Sequence, residues 1–188
     1  MEVCHEIDVF RFLLGEISAV QSYSQPNLLP QYPANMPDKV VTHLWFEKGI
    51  RGTIITSHTS SVFDAPEERY ADLGHDMYWI ITCTEGCIRM DEISRKILVC
   101  RYADYHPDAP KGKRVEFKRL EDYSSMSFSD FCHDITGNHL AFIKSCATEK
   151  PFHQSTLDAW KTHIICLAAE KSAVENSQKI TIKFISPL

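Results

Sequence analysis

The residues best placed to do chemistry come early: His5 and Asp8 stand three positions apart in a run with helical spacing. On a helix such a pair shares one face, so an imidazole and a carboxylate become neighbours. An imidazole titrates near neutrality and can take or give a proton, while a carboxylate can orient it or a substrate hydroxyl. An ordinary helix-face hydrogen bond explains the same spacing. The other histidines, among them His75, His106, His133, His139, His153 and His163, show no H-E-x-x-H spacing, and no G-x-S-x-G elbow supports a nucleophilic serine. They read as surface residues, with His139 and His163 on helices as core or pocket alternatives. Cys83 and Cys87 flank a turn and could form a metal or redox pair, but two strand cysteines beside a hairpin read better as packing, so no metal is assigned. Seven cysteines without a C-x-x-C pair do not resemble a disulfide framework, and most read as reduced core residues.

The elements that must position these groups follow from periodicity. Val3, Ile7, Phe10 and Leu14 recur at helical spacing, and Gly15 sits where a C-terminal cap belongs. No Ser, Thr, Asp or Asn precedes the first turn to cap it, so the chain is expected to begin inside a helix. Strand-like runs follow at 17–23, 40–46, 52–59, 77–84, 87–90, 97–101 and 115–120, most of them expected in one antiparallel sheet. Glu47-Lys48-Gly49 and Glu85-Gly86 read as hairpin turns in which Gly supplies a positive φ. Pro26, Pro30, Pro33 and Pro37 make the segment between the first two strands a loop, a lid or an inter-subunit arm.

Phe128, Phe131, Cys132, Ile135, Phe142, Ile143 and Cys146 mark a long amphipathic helix, loosened at Gly137-Asn138. A second helix opens with a capping box, Ser155 and Asp158, and its buried face is read as Leu157, Trp160, Ile164, Leu167 and Ala168. A strand at 179–184 closes the chain. The class is α+β: an open, mostly antiparallel sheet covered on one face by helices, in a single domain over 1–188. Runs such as 41–46 and 77–81 carry large apolar groups on both faces, which predicts burial of the second face against another subunit or domain.

Composition narrows the function classes. A chain of 188 residues suits one domain of roughly 100 to 200 residues. A formal charge of −5 argues against a phosphate-backbone binder. The basic run Lys111 to Arg114 reads as a solvated turn. No apolar run approaches the roughly 18 residues of a membrane span, and Glu2, Glu6 and Asp8 do not fit a signal peptide. The expectation is a cytoplasmic protein that binds neither nucleic acid nor membrane.

The segment from His5 to Glu16 resembles the H-x-x-D-x-x-x-x-L-x-G helix that opens the second domain of the Gfo/Idh/MocA oxidoreductases, with His5, Asp8, Leu13 and Gly15 in the motif positions. Phe46-Glu47-Lys48-Gly49 followed by Gly52-Thr53-Ile54 is similar to the family's F-x-x-G-x-x-G-x-I hairpin, and Ser155 to Trp160 to its closing helix. In order and spacing the resemblance spans nearly the whole chain. It implies a two-domain NAD(P)-dependent enzyme acting on a sugar, cyclitol or related hydroxy or keto compound. The nicotinamide lies in a Rossmann domain, while this domain supplies substrate contacts and an oligomerising sheet.

A Rossmann domain needs a G-x-G-x-x-G turn, and the seven glycines, at 15, 49, 52, 74, 86, 112 and 137, never take that spacing. No residue is therefore assigned to cofactor binding, and the expectation is a truncated chain whose nucleotide-binding half lies elsewhere. Glu149-Lys150-Pro151 spells the family's E-K-P motif, but in relatives that motif belongs to the Rossmann domain; here it reads as a helix-ending turn, and Lys150 receives no catalytic role.

By the resemblance, His5 is the candidate catalytic residue, and His5 with Asp8 the candidate substrate contacts. The family's Asp one turn before the His falls on Met1, and Glu2 points about 100° away around the helix. The expected function is a C-terminal substrate-binding and oligomerisation domain, inactive alone. The alternative is a non-catalytic assembly module, pairing with itself or with full-length relatives through the open sheet face.

Overall fold

The computed structural model describes residues 4–27, 37–57, 78–102, 115–127, 130–131, 134–152 and 154–184. The proline loop at 28–36, the basic run at 111–114, and His75, His106, His133, His153 and Cys132 lie outside the described residues. In chain order the elements are α1 (Cys4–Leu14), β1 (Ile17–Gln25), β2 (Lys39–Phe46), β3 (Arg51–Ser57), β4 (Tyr78–Thr82), β5 (Gly86–Asp91), β6 (Lys96–Tyr102), β7 (Val115–Asp122), α2 (Ile135–Thr148), α3 (Thr156–Val174) and β8 (Ile180–Thr181).

The class is α+β and the strand pairing is antiparallel throughout, as the sequence pattern predicts. Among the described residues the strands nevertheless divide into two sheets of four, ordered β3-β2-β1-β8 and β4-β5-β6-β7, where the sequence reading places most in one. Alternation tells a strand which face to bury but not which strand to join. The chain accordingly forms two compact units, 1–61 with 151–188, and 62–150.

In the first unit α1 and α3 lie against one face of the β3-β2-β1-β8 sheet. Along β2 the alternate residues Thr42, Leu44 and Phe46 are buried. With Ile17 and Val20 of β1, Ile54 of β3, Ile7 of α1, and Ile165, Cys166 and Ala169 of α3 they form the core. Gly15 has φ +96°, and its N–H donates to the Arg11 carbonyl (2.9 Å), so it ends α1 in the left-handed conformation expected of a cap. In the β2–β3 hairpin Gly49 has φ +82° and donates to the Phe46 carbonyl (3.0 Å). Gly52 pairs with Leu44, and a Cβ there would stand 3.3 Å from the Phe46 ring. The F-x-x-G-x-x-G-x-I pattern thus has a local cause: one glycine turns the chain, and the other leaves room for the buried aromatic.

Helix α3 begins as predicted, Ser155 and Asp158 forming a reciprocal capping box. Its buried face differs from the sequence reading. Thr162, Ile165, Cys166, Ala169 and Ser172 are buried, whereas Leu157 and Leu167 are exposed. The helix is rotated by about one residue, or roughly 100°, from the face that the largest apolar side chains suggest. The cause is polar: Thr162 and Ser172 have partners on α1 and β1. Ser172 Oγ accepts from the Ser22 N–H (2.9 Å) and donates to the Gln178 carbonyl, while the Ser22 and Thr42 hydroxyls meet at 3.0 Å. The closing strand is short, two residues paired with Ala19 and Val20, prolonged by the Ile182 N–H bond to the Ser18 carbonyl (2.8 Å).

The second unit is the β4-β5-β6-β7 meander and α2. Glu85-Gly86 is a turn as expected, with Cys83 N–H donating to the Gly86 carbonyl (2.8 Å), but Gly86 is not needed for positive φ. A Cβ there would stand 2.1 Å from the Cys100 carbonyl oxygen, so close strand approach is the reason for glycine. The long helix read from 128 to 146 is interrupted: Asp134, at φ 34°, caps a new helix, and its carboxylate accepts from the Gly137 N–H (3.0 Å). Gly137 belongs to this first turn and does not loosen a continuous helix. Glu149, at φ 53°, ends α2, and the Lys150 N–H returns to the Ser145 carbonyl (3.2 Å). The Glu149-Lys150-Pro151 segment is therefore the helix-ending turn predicted.

Candidate functional site

Helix α1 carries the candidate residues on two faces. Ile7 and Arg11, one turn apart, face inward. The Arg11 side chain is only 6% exposed, and a buried guanidinium must find acceptors. Its Nε and Nη2 donate to the two Glu16 carboxylate oxygens, each at 3.0 Å, in a bidentate pair. Its Nη1 donates to the Asp158 carbonyl (2.9 Å) and to Thr162 Oγ1 (2.7 Å). Lys161 Nζ reaches Glu16 Oε1 at 2.9 Å. The Arg11 hydrogen bond is the largest of the effects that hold Glu16 below its ordinary carboxylate pKa, with Lys161 adding to it. Asp158 is also lowered, chiefly by the Ser155 hydroxyl and N–H.

Asp8 belongs to this network. One carboxylate oxygen accepts from Thr162 Oγ1 (2.7 Å) and stands 3.5 Å from Arg11 Nη1; the other accepts from Gln154 Nε2 (2.8 Å). Asp8 therefore ties α1 to α3 while its side chain remains 31% exposed.

His5 is exposed in the first turn. Residues four and seven positions on, Val9 and Phe12, fall on the same stripe, and they are 38% and 87% exposed. A full turn of apolar surface thus adjoins the imidazole on a helix whose opposite face is fixed. His139 and His163, candidates for core or pocket, are both exposed.

The opposite face of the first sheet is also laid out in register. Val41, His43 and Trp45 alternate along β2, facing Ile55, Thr53 and Arg51 of β3. His43 Nδ1 and Thr53 Oγ1 lie 3.0 Å apart, and the His43 ring meets Tyr23 and Trp45 edge-on at 5.9 and 6.3 Å. Lys179 Nζ stands 4.2 Å over the Trp45 ring, and Ile55 is 66% exposed.

Cysteines are less buried than the sequence suggests: of those described, Cys100 and Cys166 are buried, Cys87 is intermediate, and Cys4, Cys83 and Cys146 are exposed. Burial raises the Cys166 thiol to about 11. Among the described residues no group of three or more His, Cys, Asp or Glu could hold a metal ion, and no helix is long and apolar enough to cross a membrane.

The sequence reading missed Arg11 and its partners. The signal available was an arginine one helical turn after Ile7, on the inward face, which obliges a carboxylate such as Glu16 to be near.

Residues 3–89 match the profile of the GFO/IDH/MocA C-terminal domain. The fold agrees with solved structures of oxidoreductases. Levoglucosan dehydrogenase in complex with NADH superposes with a TM-score of 0.68 at 21% identity, over 98% of this chain and 50% of that one. An oxidoreductase from Agrobacterium radiobacter, in complex with NAD+, L-tartaric acid and magnesium, gives 0.68 at 16% identity, over 96% and 48%. The WlbA dehydrogenase from Bordetella pertussis, with NADH and UDP-GlcNAcA, gives 0.62 at 16% identity, over 98% and 45%. No match is found among curated proteins. The profile match covers residues 3–89, somewhat under half of the chain, and the fold is that of the oxidoreductase structures just named. The chain spans about half the length of the solved structures it resembles.

Proposed function

We propose that this chain is the substrate-binding and oligomerising half of an NAD(P)-dependent oxidoreductase acting on a sugar, cyclitol or related hydroxy or keto compound, inactive without a nucleotide-binding domain. The observation that carries the reading is the exposed His5, Val9 and Phe12 stripe on a helix anchored to α3 by Arg11, on its inward face, and by Asp8.

The starts of α2 and α3 do not fit the dinucleotide. A pyrophosphate needs an open helix N-terminus with free N–H groups and no competing anion. The starts of α2 and α3 are closed by the carboxylate of Asp134 and by the Ser155–Asp158 capping box. Of the positive-φ glycines, Gly15 ends a helix and Gly49 turns a hairpin. NAD or NADP, on this reading, belongs to the other domain.

What this chain supplies is a proton acceptor and a hydroxyl-orienting group. His5 would accept the hydroxyl proton of a bound alcohol, and Asp8, on the same helix turn, would lend a second acceptor from the exposed part of its carboxylate. The relatives bind levoglucosan, L-sorbose or L-tartaric acid, small polar molecules rich in hydroxyls. Those three compounds are the probes to use. The test follows the His5 imidazole resonances of purified chain during titration with each. A saturable shift for at least one compound, lost in His5→Ala, is expected; binding that is unchanged in His5→Ala, or no shift with any of the three, overturns the assignment.

The open face of the first sheet favours the assembly role in particular. Its aromatic row and the exposed Ile55 suit a second copy or a full-length relative. Light scattering of wild type and Ile55→Lys tests this: an assembly that dissociates in the variant is expected, and a wild-type monomer contradicts it.

A further inference from the structure

The second sheet holds a pair of cysteines that sequence spacing does not bring together. In the β5–β6 register Cys87 stands directly opposite Cys100. Both are free thiols, Cys87 partly exposed and Cys100 buried. Residues directly opposite in an antiparallel pair lie about 4.5 to 5.5 Å apart at Cα, inside the roughly 4.4 to 6.8 Å that a disulfide spans. Gly86 helps bring them together: lacking a Cβ, it lets β5 approach the Cys100 carbonyl more closely than any other residue allows. Cys83, the alternative partner considered for Cys87, follows Thr82, the residue that pairs with Cys87. Strand alternation then places Cys83 on the other face of the sheet.

We propose that Cys87 and Cys100 are a redox modification site, closing to a cross-strand disulfide by exchange with a low-molecular-weight disulfide. The Cys87 thiolate, the accessible one, attacks one sulfur of the small disulfide; a Cys87 mixed disulfide forms and one small thiolate leaves. The Cys100 sulfur then attacks Cys87 Sγ, the mixed disulfide breaks, and the second small thiolate leaves. Two electrons pass to the small disulfide, and the protons released by Cys87 and Cys100 end on the two departing thiols. Burial holds the Cys100 thiol above its ordinary pKa, with Cys87 adding to the effect. The second step therefore gains rate as pH rises.

The experiment incubates the reduced full chain with oxidised glutathione, alkylates the remaining thiols, and maps linked peptides by mass spectrometry without reduction. The expected result is a Cys87–Cys100 cross-link as the dominant pair, with loss of two free thiols and no glutathione retained on either. Cys100→Ser should instead accumulate a glutathione adduct at Cys87. Glutathione stably retained on wild-type Cys87, a Cys83–Cys87 link, or unreacted Cys87 overturns the proposal. The first map uses wild-type protein, so its outcome does not depend on any variant folding.

Discussion

Replacing Arg11 with Met isolates the network that fixes α1. Methionine keeps an unbranched apolar stem in the buried channel but removes four hydrogen bonds, two to Glu16 and one each to the Asp158 carbonyl and Thr162. Breaking a fully buried charge pair costs about 3–5 kcal/mol, and an exposed one about 0–1. Here Arg11 is buried but the Glu16 side chain is 30% exposed and keeps Lys161 at 2.9 Å. Thr162 likewise keeps Asp8. The loss should therefore be about 2–4 kcal/mol, an intermediate value, or roughly 5–15 °C in Tm for a chain of this size.

The pH dependence gives a second readout. The folded-state pKa of Glu16 is depressed below its ordinary value of 4.5. Its contribution is thus fully present above that value and is lost as pH falls through the folded-state pKa. Arg11→Met should flatten this acid-side loss, with Lys161 preserving part of it. Urea unfolding in a Trp79→Phe background, followed by the fluorescence of Trp45 and Trp160, reads the unit that contains the network. A cost below about 1 kcal/mol, the value of a surface pair, or an unchanged acid limb would refute the reasoning.

Two further perturbations test the packing. Ser172→Ala removes the acceptor of the buried Ser22 N–H and should cost about 1–3 kcal/mol in the same urea assay. Gly52→Ala presses a Cβ against the movable Phe46 ring, whereas Gly86→Ala drives one into a backbone carbonyl. The first should cost about 1 kcal/mol and the second about 3 or more; hydrogen exchange of β3 and of β5–β6 compares them, and equal effects would contradict the geometry.

How legible each feature was depended on how local its cause is. The Gly15 cap, the 46–54 hairpin and the Ser155 capping box are set within a few residues, and each takes the form its sequence predicts. The face of α3 is set by partners about 150 residues away in sequence, Ser22 for Ser172 and Arg11 for Thr162. Hydrophobicity alone therefore picks Leu157 and Leu167 over the smaller polar residues that are buried. Sheet membership and the Cys87–Cys100 pairing depend on register, which alternation does not specify. At the candidate site, His5 stands out in the sequence because a helix period and a motif of the resembled family coincide on it. Arg11 and the second role of Asp8 were not, since the acceptors that keep them in place come from the far end of the chain.

The central claim is that this chain holds the substrate half of the chemistry and leaves the nicotinamide to another domain. Titration of the purified chain with NADH and NADPH, followed by fluorescence, tests it most directly. The account predicts no saturable binding of either nucleotide. Tight, saturable binding of one of them would contradict it and place a cofactor site within these 188 residues.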